Sequence, residues 1–367
     1  MIDRERLVRT VTELIRIDSP TGEEDAIDAH LSARLIDLGA SIQHDAYGNL
    51  VANLPGGNGR SGEAPVMLSA HMDTVEPGRG IQPTLDADGD TLRSDGTTIL
   101  GGDCKAGLAI VLEGVTAAME DGGLGRPVQV VFSRAEEGGL NGARNLDFSL
   151  VTATNGMVFD GEGPVSRICV GAPAQNVVQC RITGVAAHAG LEPENGVSAL
   201  LVAANILTRL PLGRIDHETT SNIGVLEGGL KRNIIPEQAY MDGELRSRDQ
   251  AKLENYTAEF RRAFDQAAAM YPQAQIDLEI RNQYQAYRVT ESDPALADIA
   301  RAVTAAGLTP ALETTGGGSD ANVFFEHGIV ALPVGIGVRD FHTTRETASI
   351  NEMYEAAVVC QKFICPA

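Results

Sequence analysis

The chain has 367 residues, 43% of them apolar, which is material for more than one hydrophobic core. Fifty acidic against 29 basic residues leave a formal net charge of −21, which opposes binding to nucleic-acid phosphates, and no apolar run approaches the length of a membrane span. Five cysteines without a CxxC pair, and an N-terminus charged throughout where a signal peptide would be apolar, predict a cytoplasmic protein with reduced thiols.

Leu7, Val8, Val11, Leu14 and Ile15 recur at helical spacing, and the Asp18-Ser-Pro-Thr-Gly segment stops that helix. Thr21 and Glu24 have the form of a capping box, which predicts a second helix running to Gly39. Two short strands are expected between residues 41 and 54, and a surface loop over 56–63. Residues 66–68 read as a strand buried on both faces. Just past it stand His71 and Asp73, on one side of the chain if the extended path continues. Ligand sites of open α/β sheets lie at this end of the strands. Such an Asp either holds a metal-bound imidazole in one tautomer or caps a helix beside a loop His.

A hairpin is expected over 84–93, and residues 106–118 are apolar nearly all round, as in a buried helix. Asp103 sits at its start, either as a plain N-cap or as a ligand carboxylate held rigidly there. Residues 128–132 form a second apolar strand, ending in Glu136 and Glu137, and residues 157–159 a third, ending in Asp160. Adjacent carboxylates after core strands repel unless a cation or a shared proton lies between them. Acid at the ends of three strands, with Asp103 between them in sequence, calls for the counter-charge of a metal pair. A further ligand is expected in His342, beyond the apolar run 329–334. The other histidines fit less well: His30 falls mid-helix, His44 in a strand, His217 in a polar loop and His327 at a helix end.

Between residues 171 and 287 the texture changes to strand, helix, strand, strand, helix, strand, at 176–182, 197–210, 221–226, 238–247, 250–270 and 275–280. This βαββαβ order is the ferredoxin-like arrangement. Because more sheet and His342 follow it, the segment reads as an insertion, and an insertion of this kind suggests a lid over the site. The expected domains are 1–172 and 288–367, a catalytic domain in two parts, with 173–287 inserted between them.

The ligand set His71, Asp103, Glu137, Asp160 and His342 contains imidazole and carboxylate but no thiolate. It suits zinc, cobalt or manganese as a pair sharing one carboxylate. Such a pair can hold a hydroxide and polarise a carbonyl. Glu136, not spent on metal, could take the proton of the attacking water and deliver it to a leaving amine. That is amide hydrolysis.

Ser-Ala-His71-Met-Asp73-Thr-Val, Gly-Gly-Asp103-Cys-Lys-Ala-Gly, Ala-Glu136-Glu137-Gly-Gly, Phe-Asp160-Gly and Phe-His342-Thr-Thr resemble, in this order, the motifs of the M20 family of di-zinc peptidases and deacylases. Ser94-Asp-Gly-Thr-Thr-Ile-Leu-Gly-Gly-Asp and Thr315-Gly-Gly-Gly-Ser-Asp-Ala-Asn bring the likeness nearest to the peptidase T (tripeptide aminopeptidase) branch. The resemblance spans essentially the whole chain. It implies a zinc-exopeptidase-like α/β catalytic domain with a mostly parallel sheet and an inserted ferredoxin-like α+β lid. It also implies two divalent ions: Asp103 bridges them, His71 and Asp160 complete one site, and Glu137 and His342 complete the other. Asp73 then orients His71, and Glu136 is the general base. In the insert, Gly184-Val-Ala-Ala-His188-Ala-Gly resembles the lid segment whose histidine stabilises the oxyanion. Asn233 and Arg246 resemble substrate-binding lid residues, and Gly317 lies in a glycine turn expected near the substrate.

Cys104 departs from the family, where this position is usually polar; a thiol there could soften metal choice or admit oxidation. The chain is also shorter than typical tripeptidases of that branch. The expected activity is aminopeptidase cleavage of short peptides, with an N-acyl-amino-acid deacylase or carboxypeptidase as the alternative, anchoring an α-carboxylate on Arg246. A non-catalytic binding protein is a rival that loss of Glu136 or of a ligand would have favoured, and none is lost. A phosphate-cradling loop at Thr315-Gly-Gly-Gly-Ser lacks the Lys-Ser/Thr ending of a P-loop. A homodimer through the lid is a further expectation.

Overall fold

The abrupt change of polarity after residue 68 marks the middle of a sheet. The computed structural model describes residues 1–57 and 62–366; of the loop expected over 56–63, residues 58–61 lie outside the described residues. The chain divides into two units, one of Met1–Val170, Arg288–Thr314 and Ser319–Ala367, the other of Gly171–Tyr287 and Thr315–Gly318.

The first unit opens with α1 (Arg4–Ile15), α2 (Asp25–Asp37), β1 (Ser41–His44), β2 (Leu50–Leu54), β3 (Val66–His71), β4 (Thr84–Leu85) and β5 (Thr91–Arg93). It continues through α3 (Gly102–Glu120), β6 (Val128–Ser133), α4 (Asn141–Arg144), β7 (Asn155–Gly161) and most of β8 (Arg167–Ala172). The second unit holds β9 (Ala174–Thr183), α5 (Ala199–Leu207), β10 (Gly213–Arg214), β11 (Thr219–Gly228), β12 (Gln238–Ser247), α6 (Gln250–Met270) and β13 (Gln275–Tyr284). The chain then returns through β14 (Tyr287–Arg288), α7 (Pro294–Ala305), β15 (Ala311–Thr314), α8 (Asp320–Glu326), β16 (Val330–Gly335), β17 (Val338–Arg339), β18 (Thr347–Ser349) and α9 (Ile350–Ile364).

The large sheet runs β1-β2-β6-β3-β7-β16-β8-β14, with β15 on β8. Its four central strands, β6, β3, β7 and β16, are parallel, whereas the pairs outside them whose register is resolved are antiparallel. Every residue of β3 and of β6 is buried, as expected of parallel strands covered on both faces. A four-stranded sheet β17-β18-β5-β4 carries the chain on either side of His342. In α3, nearly every residue from Gly102 to Ala118 is buried, which accounts for a helix apolar nearly all round. Gly107 admits β7 closely: a Cβ there would stand 2.1 Å from the Phe159 carbonyl oxygen.

In the second unit the strand order β10-β11-β12-β9-β13, antiparallel throughout, is that of a split βαβ sheet. Its core packs Phe260, Phe264 and Leu253 of α6 and Val202 and Ile206 of α5 against Val178, Ile182, Met241 and Leu245. The helix expected over 197–210 is shorter, starting after the Ser198 cap.

Two local expectations are corrected. The second helix begins at Asp25, its N-cap residue Glu24 makes no side-chain cap bond, and the capping box at Thr21 and Glu24 does not form. Tertiary partners take both side chains instead, as described below. Asp103 is no N-cap either: Gly101, at φ 72°, holds that position, and Asp103 itself is non-helical at φ −81°, ψ 101°. Among the described residues no helix is long and apolar enough to cross a membrane.

Candidate metal centre

Strand register delivers the first residues of the centre. His71 stands opposite Ser133 across the parallel β3–β6 pair, and Ser69 opposite Val158 in β7, so that His71 lies level with Asp160. His71 is 2% exposed. Its Nδ1 lies 2.9 Å from the backbone oxygen of Asp73, which requires the proton on Nδ1 and leaves Nε2 facing the carboxylates. His71 Nε2 lies 3.0 Å from Asp103 Oδ1 and 3.4 Å from Asp160 Oδ1.

The other oxygen of Asp103 faces a second imidazole. Asp103 Oδ2 lies 3.1 Å from His342 Nε2, which is 2.8 Å from Glu137 Oε1. Two lobes therefore share Asp103: His71, Asp103 and Asp160 on one side, with the Cys104 thiol near, and Asp103, Glu137 and His342 on the other. Within each group the candidate ligand atoms lie within 4.8 Å of one another. Cys104 is buried and donates from Sγ to the carbonyl of Phe159 at 2.7 Å.

Electrostatically the cluster holds more buried acid than its two imidazoles balance. Burial raises Asp160 to about 7 against the pull of His71, and burial also raises Glu137. Glu136 is pushed well above the carboxylate range by burial and by the charges of Asp160, Asp320 and Glu137. Burial acts against Asp103 too, yet hydrogen bonds from His342 and His71 hold it well below its ordinary value. By accepting hydrogen bonds from His342, Asp103 and Glu137 push it up to about 10. Five N and O donors around so many buried acids fit divalent cations, which replace protons in such a cluster.

The turn that carries Glu136 and Glu137 is built from several sides. Asp73 accepts the N–H of Glu136 at 2.9 Å and of Glu137 at 3.2 Å, and the hydroxyl of Thr21 at 2.7 Å. Glu24, read from sequence as a cap, accepts the N–H groups of Gly22 and Ala135 and pairs with Arg134. Among the described residues the non-glycine positions with positive φ are Ala135, Leu140, Asp340 and His342. All four border the two Glu and His ligand turns, where strained backbone is over-determined by its surroundings.

Sequence reasoning missed two carboxylates here. Asp320, at the start of α8, accepts from Ser133, and burial raises it to about 6; its Oδ1 has no hydrogen-bond partner among the described residues. Glu346 accepts two backbone N–H groups of the Gly101–Asp103 turn and is raised to about 7, mainly by burial. The Ser-Asp ending of the glycine run and the Glu four residues after His342 were the available signals.

His188, Asn233, Arg246 and Gly317 belong to the second unit. The exposed His188 and Asn233 lie on adjoining segments, with Ala189 N–H donating to the Asn233 carbonyl at 3.1 Å. Arg246, on β12, pairs with Glu244 at 2.8 Å and reaches the Gly316 carbonyl at 3.4 Å. Gly317 N–H donates to the Thr315 hydroxyl at 3.1 Å.

The family model described as peptidase family M20/M25/M40 matches residues 67–365. A Bacillus subtilis (strain 168) protein, YqjE, described as uncharacterized, is 36% identical over 366 residues, 97% of each chain. Among solved structures, an aminopeptidase PepT from Bacillus cereus is 37% identical, covers 99% of this chain and 98% of its own, and superposes with a TM-score of 0.86. A tripeptidase from Staphylococcus aureus is 32% identical with a TM-score of 0.91, over 100% of this chain and 98% of its own.

Proposed function

The chain belongs to peptidase family M20/M25/M40, and from that premise we propose that it is a metal-dependent aminopeptidase acting on short peptides with a free N-terminus. One observation carries the reading: each carboxylate oxygen of Asp103 faces a different imidazole, His71 at 3.0 Å and His342 at 3.1 Å. That arrangement supports two divalent ions, zinc, cobalt or manganese, with Asp103 shared, His71 and Asp160 on one and Glu137 and His342 on the other. When bound, such ions supply Lewis acidity at the scissile carbonyl and at the attacking water.

The rest of the work falls to side chains. Glu136 is buried, and its raised proton affinity suits a group that takes a proton from water and passes it to the leaving amine. Asp73 fixes His71 through its backbone oxygen while its carboxylate holds the Glu136 turn. His188 is assigned to the developing oxyanion, and Asn233, Arg246 and Gly317 to substrate binding. The names of the Bacillus cereus aminopeptidase and the Staphylococcus aureus tripeptidase support the substrate class.

Matched pairs of di- and tripeptides, one member free and one N-acetylated, test this with a mass-spectrometric readout. The free member is expected to be cleaved and the acetylated one hardly at all. Faster cleavage of the acetylated member overturns the aminopeptidase reading in favour of deacylation.

A further inference from the structure

Asp103 is the residue on which both lobes depend, yet its local backbone does not hold it. Three residues of this turn depart from helical geometry, Gly101 at φ 72°, Asp103 at φ −81°, ψ 101° and Cys104 at φ −116°, ψ 25°. Non-helical residues at a helix start leave backbone N–H groups to be satisfied by something else. Here that is one side chain. Glu346 Oε2 accepts the N–H of Gly101 at 2.8 Å and Glu346 Oε1 accepts that of Asp103 at 2.9 Å. Glu346 is 2% exposed. It lies four residues beyond His342 and just before β18.

A single carboxylate thus joins the turn that presents Asp103 to the segment that presents His342. We propose that Glu346 is a positioning residue that sets the distance between the two lobes of the centre. The proposal rests on the metal centre assigned above and adds to it a residue outside the ligand set.

The chemistry of the group argues for this role over plain packing. Both N–H donors point at it, so both of its oxygens must accept, which a carboxylate does and an amide cannot. An amide would turn its NH2 on one of the two donors. Burying another acid beside Asp103 is unfavourable for the fold alone, since like charges at close range oppose one another. Gly102 leaves the room: a Cβ there would stand 3.2 Å from Glu346 Oε1 and 3.0 Å from a Val338 methyl. Residues that orient a metal ligand without touching the metal commonly change affinity about 10–100-fold when replaced.

Glu346→Gln and Glu346→Asp separate clamp from charge. The first removes the charge and one acceptor; the second keeps the charge on an arm one methylene shorter. Zn²⁺ affinity is measured for wild type and both variants by competition with a chromophoric chelator, and the melting temperature of each is taken with and without Zn²⁺. The expected result is Zn²⁺ binding about 10–100-fold weaker in both variants, with a smaller Zn²⁺-dependent rise in melting temperature than in wild type. An Asp variant that binds like wild type while the Gln variant is weak reduces the effect to charge and overturns the proposal. Unchanged affinity in both, or metal-free variants that no longer fold, makes Glu346 a residue of the fold only. Wild type that binds none of Zn²⁺, Co²⁺ and Mn²⁺ overturns the metal centre itself, a distinct failure seen before any variant is compared.

Discussion

The carboxylate of Asp73 accepts the backbone N–H of Glu136 at 2.9 Å, tying the end of β3 to the turn after β6. The same carboxylate takes Glu137 N–H and the Thr21 hydroxyl, and its Oδ1 lies 3.4 Å from His71 Nδ1. Burial would raise Asp73, but His71, Thr21 and the Glu136 N–H keep it below its ordinary value. One acid therefore sets the place of a candidate ligand, a candidate base and a second candidate ligand.

Asp73→Asn is expected to destabilise the protein by about 1–3 kcal/mol, because an amide NH2 would face a backbone donor in a site without water access. Thr21→Val, which leaves the other donors in place, should cost about 1 kcal/mol. Denaturant unfolding of both variants checks the order; an Asn variant as stable as wild type would show that Asp73 holds nothing.

Glu136 and Glu137 are neighbours with different expected roles. Glu136→Gln should keep its metal and lose kcat by about 10²–10⁴-fold, the usual worth of general acid–base help. Glu137→Gln should lose metal from one lobe first, since Glu137 lies 2.8 Å from His342 Nε2. Elemental analysis beside single-substrate kinetics separates them. Equal metal loss in the two variants would refute the division.

Much of this centre is legible in the sequence because each parallel strand announces its end. Val66–Leu68, Val128–Phe132 and Met157–Phe159 are apolar runs broken by His, Glu or Asp, and parallel register places those breaks side by side. What holds them is not legible. Thr21 and Glu24 match a local capping pattern, yet Thr21 bonds Asp73 and Glu24 bonds Ala135, more than fifty and one hundred residues away. Glu346 meets Asp103 across 243 residues, and no period or motif in one dimension records that contact. The second unit was readable for a different reason: its helices and strands alternate with full-length patterns, so the βαββαβ order survives small errors at their ends.

Metal affinity should rise with pH. In the metal-free protein Asp103 and Glu137 push His342 up to about 10, so below that pH it keeps a proton that a metal must displace. The sign follows: raising pH removes the competitor, and affinity gains up to about tenfold per pH unit for each proton released. Titrations with Mn²⁺ at about pH 6, 7 and 8, in buffers of different ionisation enthalpy, count the protons. A dissociation constant independent of pH over that range would rule out His342 as a group that loses its proton to metal.

The last prediction separates the two ends of a peptide substrate. Arg246 already pairs with Glu244 at 2.8 Å, and Gln175 donates to the same Glu244 oxygen at 2.5 Å. A substrate carboxylate reaching for that guanidinium would have to compete with Glu244, whereas a substrate recognised by its α-ammonium has no such contest. A charge-assisted hydrogen bond is worth roughly 1.5–3 kcal/mol, or about 10–150-fold in kcat/KM. If Arg246 anchors the α-carboxylate, Arg246→Ala should lose that factor, Glu244→Gln should gain by freeing the guanidinium, and amidating the C-terminus of the peptide should cost as much as the Arg246 substitution. On the aminopeptidase reading C-terminal amidation is expected to change kcat/KM by less than about tenfold, and Glu244→Gln should bring no gain, while N-acetylation removes most of the activity. The comparison needs one tripeptide in three forms (free, acetylated and amidated) against wild type and the two variants. A larger loss on amidation than on acetylation would move recognition from the amine to Arg246 and make the enzyme a carboxypeptidase or deacylase.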